Sequence, residues 1–237
     1  MTSRPKALIS WSSGKDSAFA LHEVRQAGEL DVVGAVTTVT ETFGRVSIHG
    51  VRQEILLAQL QAANLPPQIV PIPYPCPNEI YEARMGEAVA RAVKDGITHM
   101  IFGDLYLADI RAYREQKLAG TGITPVFPLW EKPTRPLAQA MIAGGLEAYL
   151  ATVDLKKLSA EFAGRKFDDK LLADLPDGVD ACGENGEFHT CVVAGPMFSH
   201  PLAVTTGERV ERDGYAYCDL VLNDGEKPSA ARRRSFC

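Results

Sequence analysis

The stretch Lys6-Ala7-Leu8-Ile9-Ser10-Trp11-Ser12-Ser13-Gly14-Lys15-Asp16-Ser17 decides the fold. Its first five residues form an apolar run that ends in polar residues, as a buried strand would. From residue 17 to residue 27 apolar side chains recur near helical spacing, at Ala18, Leu21 and Val24, and the run stops at Gly28. A Ser/Gly loop joins the two. Such a junction presents unpaired backbone N–H groups at the positive end of a helix dipole, which suits an anion. Gly14 lets the backbone turn tightly and approach that anion. Ser10, Ser12, Ser13 and Ser17 are candidate hydroxyl contacts, and Lys15 supplies positive charge. Asp16 is poorly placed to meet an anion directly and reads as a Mg²⁺ contact or a loop-stabilising acceptor. The loop is not a Walker A motif, because Ile9 and Asp16 stand where that motif needs Gly and Ser or Thr.

Working outward, the first half keeps the same rhythm. Strand-like runs are expected at 31–39, 68–72, 98–102 and 124–127, and helices at 51–63, 78–94 and 110–119, with Asn78 as an N-cap. Strands alternating with helices over short connections predict an α/β fold, a doubly wound parallel sheet with helices on both faces. Open sheets of this kind bind ligands beyond the carboxyl ends of their strands. Gly103 and Asp104 follow one such end.

After about Pro133 the pattern changes. A helix at 137–143, a strand at 146–153, a polar helical region at 159–175 and strands at 187–194, 201–211 and 215–222 predict a smaller α+β domain. Arg212-Asp213-Gly214 reads as the turn of a hairpin. The expected division is a first domain over 1–133 and a smaller second domain over 134–237.

The 237 residues carry a net charge of −5, with 46% apolar and 23% charged residues, ordinary for a globular chain. That charge disfavours a broad nucleic-acid surface. The basic run Arg232-Arg233-Arg234 reads as a solvated tail. The apolar segment near the N-terminus is too short for a signal peptide or membrane span, so a cytoplasmic protein with no membrane partner is expected. The five cysteines, Cys76, Cys182, Cys191, Cys218 and Cys237, show no C-x-x-C pair and read as free thiols.

Residues 12–17 resemble the S-G-G-x-D-S signature of PP-loop ATP pyrophosphatases, with Ser13 where the pattern has its first Gly. Further motifs narrow the class: His49-Gly50-Val51-Arg52, Pro75-Cys76-Pro77-Asn78, Gly103-Asp104-Leu105 with Arg111 and Arg114-Glu115, and Gly183-Glu184-Asn185-Gly186-Glu187-Phe188-His189-Thr190. Together they resemble the diphthine–ammonia ligase family and its bacterial relatives. The resemblance implies ATP and Mg²⁺ as cofactors and ammonium as a substrate. The implied reaction converts the carboxylate of diphthine on elongation factor 2 to an amide, releasing AMP and pyrophosphate. That acceptor applies if the source is archaeal or eukaryotic; otherwise the carboxylate is unspecified.

On this reading Lys15, Asp16, Glu187 and His189 are the candidate catalytic residues. Arg111, Arg114, Glu184, Glu187, His189 and Tyr81 are candidate substrate contacts, and Asp16 is the metal ligand. Two alternatives stay open: a PP-loop pyrophosphatase acting on another metabolite or modified nucleoside, and a non-catalytic adenine-nucleotide sensor. Assembly into a homo-oligomer is open too.

Overall fold

The structure is a computed structural model and describes residues 4–47 and 49–223. Arg232-Arg233-Arg234 and Cys237 lie outside the described residues.

Five parallel strands form the first sheet: β1 (Lys6–Ser10), β2 (Asp31–Thr40), β4 (Pro67–Ile72), β5 (His99–Ile101) and β6 (Thr124–Val126), in the spatial order β4-β2-β1-β5-β6. The order reverses around β1, so the crevice at its carboxyl end is the expected ligand position for an open α/β sheet. A short strand, β3 (Arg45–Val46), runs antiparallel to the end of β2. Since β4 takes the other edge of β2 there, β3 lies on the same edge as β1, just beyond Ser10. The chain leaving β3 therefore passes over the loop leaving β1.

Side chains alternate between the two faces of this sheet. Ala7, Ile9, Ala35 and Ile101 pack with α1 (Lys15–Ala27), α2 (Gln53–Ala62) and α5 (Thr134–Ala143). Leu8, Val36, Val70 and Met100 pack with α3 (Asn78–Lys94) and the end of α4 (Ala108–Leu118). Helices thus cover both faces, as a doubly wound sheet requires. Helix α1 stops where the sequence predicts: Gly28 caps it at φ 67°, a left-handed conformation that costs glycine nothing.

The second sheet is antiparallel, in the order β8-β7-β10-β9, from β7 (Glu147–Asp154), β8 (Phe188–Ala194), β9 (Val204–Arg212) and β10 (Tyr215–Leu222). Asp213 and Gly214 turn the β9–β10 hairpin with φ 54° and 82°, the left-handed pair that matches strand twist. Inner residues of this sheet, Leu150, Val153, Cys191 and Val192, join the same apolar cluster as α1 and α2.

Two expectations are corrected. Asn78 is not an N-cap: Pro77 holds that place in extended geometry, and the Asn78 amide donates to Glu82 instead at 3.0 Å. The region 159–175 is not one helix. It holds a 3-10 turn, Ala160–Phe162, and a single short helix, α6 (Asp169–Asp174), capped by the Asp168 carboxylate at Leu171 N. Gly164, at φ 80°, and a bridge from Lys166 to Tyr149 break the run. Short β3 carried no strand-length signal.

Candidate functional site

The loop after β1 is closed by its own hydroxyls. Ser12 N and Ser12 Oγ both lie within 3.3 Å of Ser17 Oγ, Gly14 N donates to Ser12 Oγ at 3.3 Å, and Ser17 Oγ donates to Gly14 O at 3.0 Å. Ser12 and Ser17 thereby fix the turn that presents the first N–H groups of α1. Ser13 takes φ 69°, and its side chain is fully buried with no partner for Oγ among the described residues. The methylene and hydroxyl that Ser13 adds to the usual glycine thus lie inside the protein.

Lys15 does not face open solvent. It is 2% exposed, and its ammonium donates to Asp16 Oδ2 at 2.8 Å, to Asp16 Oδ1 at 3.0 Å and to Cys182 O. The rings of Phe188 and Phe167 flank it at 5.6 and 5.7 Å, close enough for cation–π attraction. Burial is the largest single influence and opposes its charge, but Asp16, Cys182 and Glu184 together raise its pKa and Lys15 stays protonated. The backbone N–H of Lys15 donates to Thr190 Oγ1 at 3.0 Å.

The stretch 183–190 meets this loop from the other side. Val192 N donates to Ser13 O at 3.0 Å. Gln59, fully buried in α2, donates to Ser13 O at 3.1 Å and Val192 O at 2.7 Å, and accepts from Trp11 Nε1 at 3.0 Å. The motif reading passed over Gln59. The available signal was a polar residue on the apolar stripe of Ile55, Leu56 and Leu60. Glu184 accepts from Leu105 N at 2.8 Å and holds the loop after β5, and burial raises its pKa to about 7.

Glu187 was expected to open the strand over 187–194. Instead β8 begins at Phe188, and Glu187 turns inward: its Oε1 accepts from Asp180 N at 3.2 Å and Asn185 Nδ2 at 3.0 Å. His189 packs against His49 with centroids 4.6 Å apart. Burial, then the Lys15 charge, lowers the His189 pKa to about 4.

A cavity of about 1360 Å³ opens beyond the strand ends, lined by Ser10, Trp11, Ser12 and His49 on one side and by Tyr81, Glu82, Phe102 and Arg114 on another. Of the residues expected to bind ligand, Ser10, Ser12, Tyr81 and Arg114 line it. Arg114 also clasps Asp104 through two hydrogen bonds, 2.6 and 3.1 Å, and lies over Phe102 at 4.5 Å. Arg111 pairs with Glu115 at 2.8 Å and lies over Trp130 and Phe127 at 4.7 and 4.9 Å. Gly103 packs on the first turn of α1: a Cβ there would come 2.7 Å from the Asp16 carbonyl carbon.

The cavity is roomy enough for an adenine nucleotide, within or above the usual size of small-molecule sites. The protein donors for Mg²⁺ fit less well. Both Asp16 oxygens are engaged by Lys15, Asp104 is engaged by Arg114, and no group of three His, Cys, Asp or Glu among the described residues is arranged to hold a metal. Cys182 and Cys191 are buried thiols whose pKa burial pushes to about 12, far from the thiolate a nucleophile needs. Among the described residues no helix is long and apolar enough to cross a membrane.

Comparison with known proteins places one match, in the second half. Residues 134–222 match the family model of the diphthamide synthase C-terminal domain. Diphthine–ammonia ligase of Schizosaccharomyces pombe is 31% identical over 105 residues, covering 43% of this chain and 17% of that protein. The diphthine–ammonia ligases of Rattus norvegicus and Bos taurus are 28% and 27% identical over 104 residues, each covering 42% of this chain and 39% of the relative. The match thus spans well under half the length of these relatives. Among solved structures, a U34-tRNA thiolase from Methanococcus maripaludis with its [4Fe-4S] cluster aligns at 14% identity and a TM-score of 0.37, over 60% of this chain and 58% of that one. That likeness is too slight to carry an argument. Residues 134–222 are thus similar to a diphthamide synthase C-terminal domain, and a part of the chain is similar to diphthine–ammonia ligases.

Proposed function

We propose that the chain is an ATP-dependent ligase that activates a carboxylate by adenylylation and passes it to ammonia. One observation carries this reading. The two motifs that resemble the ligase family, 12–17 and 183–190, lie 175 residues apart at Lys15 and Thr190, yet they meet backbone to side chain at 3.0 Å, beside the cavity at the strand ends. Such convergence is what a site built from both halves requires.

In this reading nucleotide phosphates meet the first turn of α1, with Ser10 and Ser12 at the cavity wall. The carboxylate oxygen attacks the α-phosphorus, the bond to the β-phosphate breaks, and pyrophosphate leaves. AMP then serves as the leaving group that a bare carboxylate lacks. Arg114 and Tyr81 contact substrate from the opposite wall. Lys15, Asp16 and Glu184 hold the loop in its reactive shape, and Gly103 allows the close approach that seats it. Mg²⁺ would add Lewis-acid neutralisation of phosphate charge. Among the described residues no group of three His, Cys, Asp or Glu side chains is arranged to hold it. His189 and Glu187 support the site from β8 and the turn before it. The chain is read as an ATP-binding domain over 1–133 and a substrate domain over 134–237, acting in the cytoplasm. Diphthine on elongation factor 2 is the acceptor if the source is archaeal or eukaryotic.

The test is nucleotide identification after incubation with ATP, Mg²⁺, ammonium and candidate carboxylates including diphthine-bearing elongation factor 2. AMP with pyrophosphate, dependent on acceptor, is the expected outcome. ADP would refute attack at the α-phosphate, and ATP binding without turnover against any acceptor would favour a sensor.

A further inference from the structure

The His49 ring touches the phosphate loop and lines the cavity, and the reaction outlined above leaves it unused. The chain leaving β3 carries it over the end of β1, where its imidazole rests on Gly14. A Cβ added to Gly14 would lie 3.1 Å from His49 Cε1 and 3.4 Å from Nδ1, with Ser12 Oγ at 3.3 Å. His49 lines the cavity. The His189 ring backs it at 4.6 Å, tilted by 42°. From β7, Thr152 Oγ1 donates to His49 O at 3.0 Å and anchors its backbone.

The hydrogen-bond partner fixes the ring's chemistry. His49 Nδ1 lies 3.5 Å from Thr190 O. A carbonyl only accepts, so this contact favours the tautomer with its hydrogen on Nδ1, which leaves Nε2 a free lone pair. The ring is also neutral. Burial first, then His189 and Lys15, holds its pKa well below the ordinary imidazole range. The nearby cation, Lys15, is engaged by Asp16 and Cys182 O.

A neutral acceptor beside an anion-binding loop suits one kind of ligand. A carboxylate there would attract ammonium and keep it protonated and unreactive. An imidazolium would repel it. A bare imidazole nitrogen accepts an N–H from neutral ammonia and leaves the ammonia lone pair free. We propose that His49 Nε2 docks the nitrogen nucleophile, ammonia or another small primary amine, next to the phosphate loop, with His189 as the positioning residue behind it. This rests on the ligase reading. In the step it serves, the nitrogen lone pair forms the C–N bond to the acyl carbon. The C–O bond to AMP breaks with its electron pair leaving on the phosphate oxygen, and the nitrogen gives one proton to solvent.

The experiment uses the full chain with ATP, Mg²⁺ and diphthine-bearing elongation factor 2. It follows ATP–pyrophosphate exchange without amine and amide formation with ammonium or methylamine. In His49→Ala the ammonium KM should rise about tenfold, the size of one hydrogen bond, while exchange stays within about twofold of the parent. The vacated ring should also shift selectivity toward methylamine. His49→Gln, whose amide can donate to Thr190 O and leave its oxygen toward the cavity, should restore most of the ammonium KM. An exchange rate that falls in step with amide formation would overturn the proposal, since His49 would then only support the loop. An unchanged ammonium KM or unchanged amine selectivity would overturn it as well. If the parent chain shows no exchange, the ligase reading itself fails and the proposal falls with it.

Discussion

Residues 12–17 and 183–190 read alike in the sequence, as polar motifs rich in Gly, Ser and charge, but the structure uses them in opposite ways. The first opens at its start onto the cavity, through Ser12 and its neighbour Ser10. The second turns almost wholly inward. Glu184 holds the backbone of Leu105, Glu187 holds the backbone of Asp180, and Thr190 holds the backbone of Lys15. Lys15 crosses from the first group to the second, since its side chain leaves the loop for the buried side. The difference teaches that a polar motif next to a site need not touch ligand. Polar side chains are equally needed where two layers meet and backbone groups would otherwise be buried without partners.

The sharpest way to break this contrast is Lys15→Met. If Lys15 is a buried strut, its loss leaves Cys182 O and the partly exposed Asp16 carboxylate without their donor, and stability should fall by roughly 2–4 kcal/mol, somewhat less than when one partner of a fully buried ion pair is removed. Urea unfolding measures this directly. The double change Lys15→Met with Asp16→Asn should recover part of the loss. A stable Lys15→Met protein that merely binds ATP poorly would return Lys15 to the phosphate side.

Next in size is Gln59→Leu. Gln59 joins Trp11, Ser13 and Val192 in one fully buried set. Leucine keeps the volume but strands Trp11 Nε1 and takes a donor from Val192 O, while Ser13 O keeps the bond from Val192 N, so a cost of about 1–3 kcal/mol is expected from partners left unsatisfied. Because Ser13 O and Trp11 belong to the phosphate loop, its nucleotide affinity should weaken in parallel. Unfolding midpoint and ATP titration, measured together, would show whether the two losses are linked.

These two cases mark the limit of what was legible in the sequence. The strand–loop–helix unit from Lys6 to Ala27 is local: apolar period, a glycine stop and a Ser/Gly turn dictate it within one window. The hairpin at Asp213-Gly214 is equally local. Residue 12 at the cavity could be anticipated because open sheets place ligands beyond strand ends. The direction of the Lys15 side chain could not, since it depends on Phe167, Cys182 and Phe188, more than 150 positions away. The same holds for His49, whose partner His189 arrives from the second sheet. The helical reading of 159–175 failed because its mixed polar composition fits a helix or an irregular cover equally well, and only the position of Gly164 argued for a break.

Glu184 gives a smaller, pH-dependent test of the inward-turned motif. Its folded pKa, about 7, lies above the ordinary 4.5, chiefly through burial. A raised carboxyl pKa means the native state holds the proton more tightly than the unfolded chain. Its contribution to stability is therefore complete below about pH 4.5 and is lost as pH rises through about 7. Glu184 is partly open to solvent, so the effect is of order 1–2 kcal/mol once screening is allowed for. His49 and His189 have lowered pKa values and pull the other way, so the parent curve alone is ambiguous. The difference between parent and Glu184→Gln isolates the carboxyl. Between pH 5 and pH 8 the parent should lose stability relative to the variant. A flat difference curve would mean that Glu184 is solvated and free to meet substrate.

The smallest effect expected is at Ser13, and it concerns the cavity side. Ser13 takes a left-handed φ of 69°, and its buried hydroxyl has no partner among the described residues. A left-handed conformation costs a non-glycine residue about 1–2 kcal/mol, and an unsatisfied buried hydroxyl adds to that. Glycine removes both costs but loses more backbone entropy on folding, about 0.5–1 kcal/mol. Ser13→Gly should therefore stabilise the chain by about 1 kcal/mol, a rise of a few degrees in Tm for a chain of this size. Its effect on nucleotide turnover should be slight, because the Ser13 side chain lies in the interior and not along the cavity wall. Thermal unfolding and AMP formation separate these claims. A variant that gains turnover severalfold without gaining stability would mean that the serine side chain does reach the pyrophosphate, and that the loop's buried face and its ligand face are not distinct at this position.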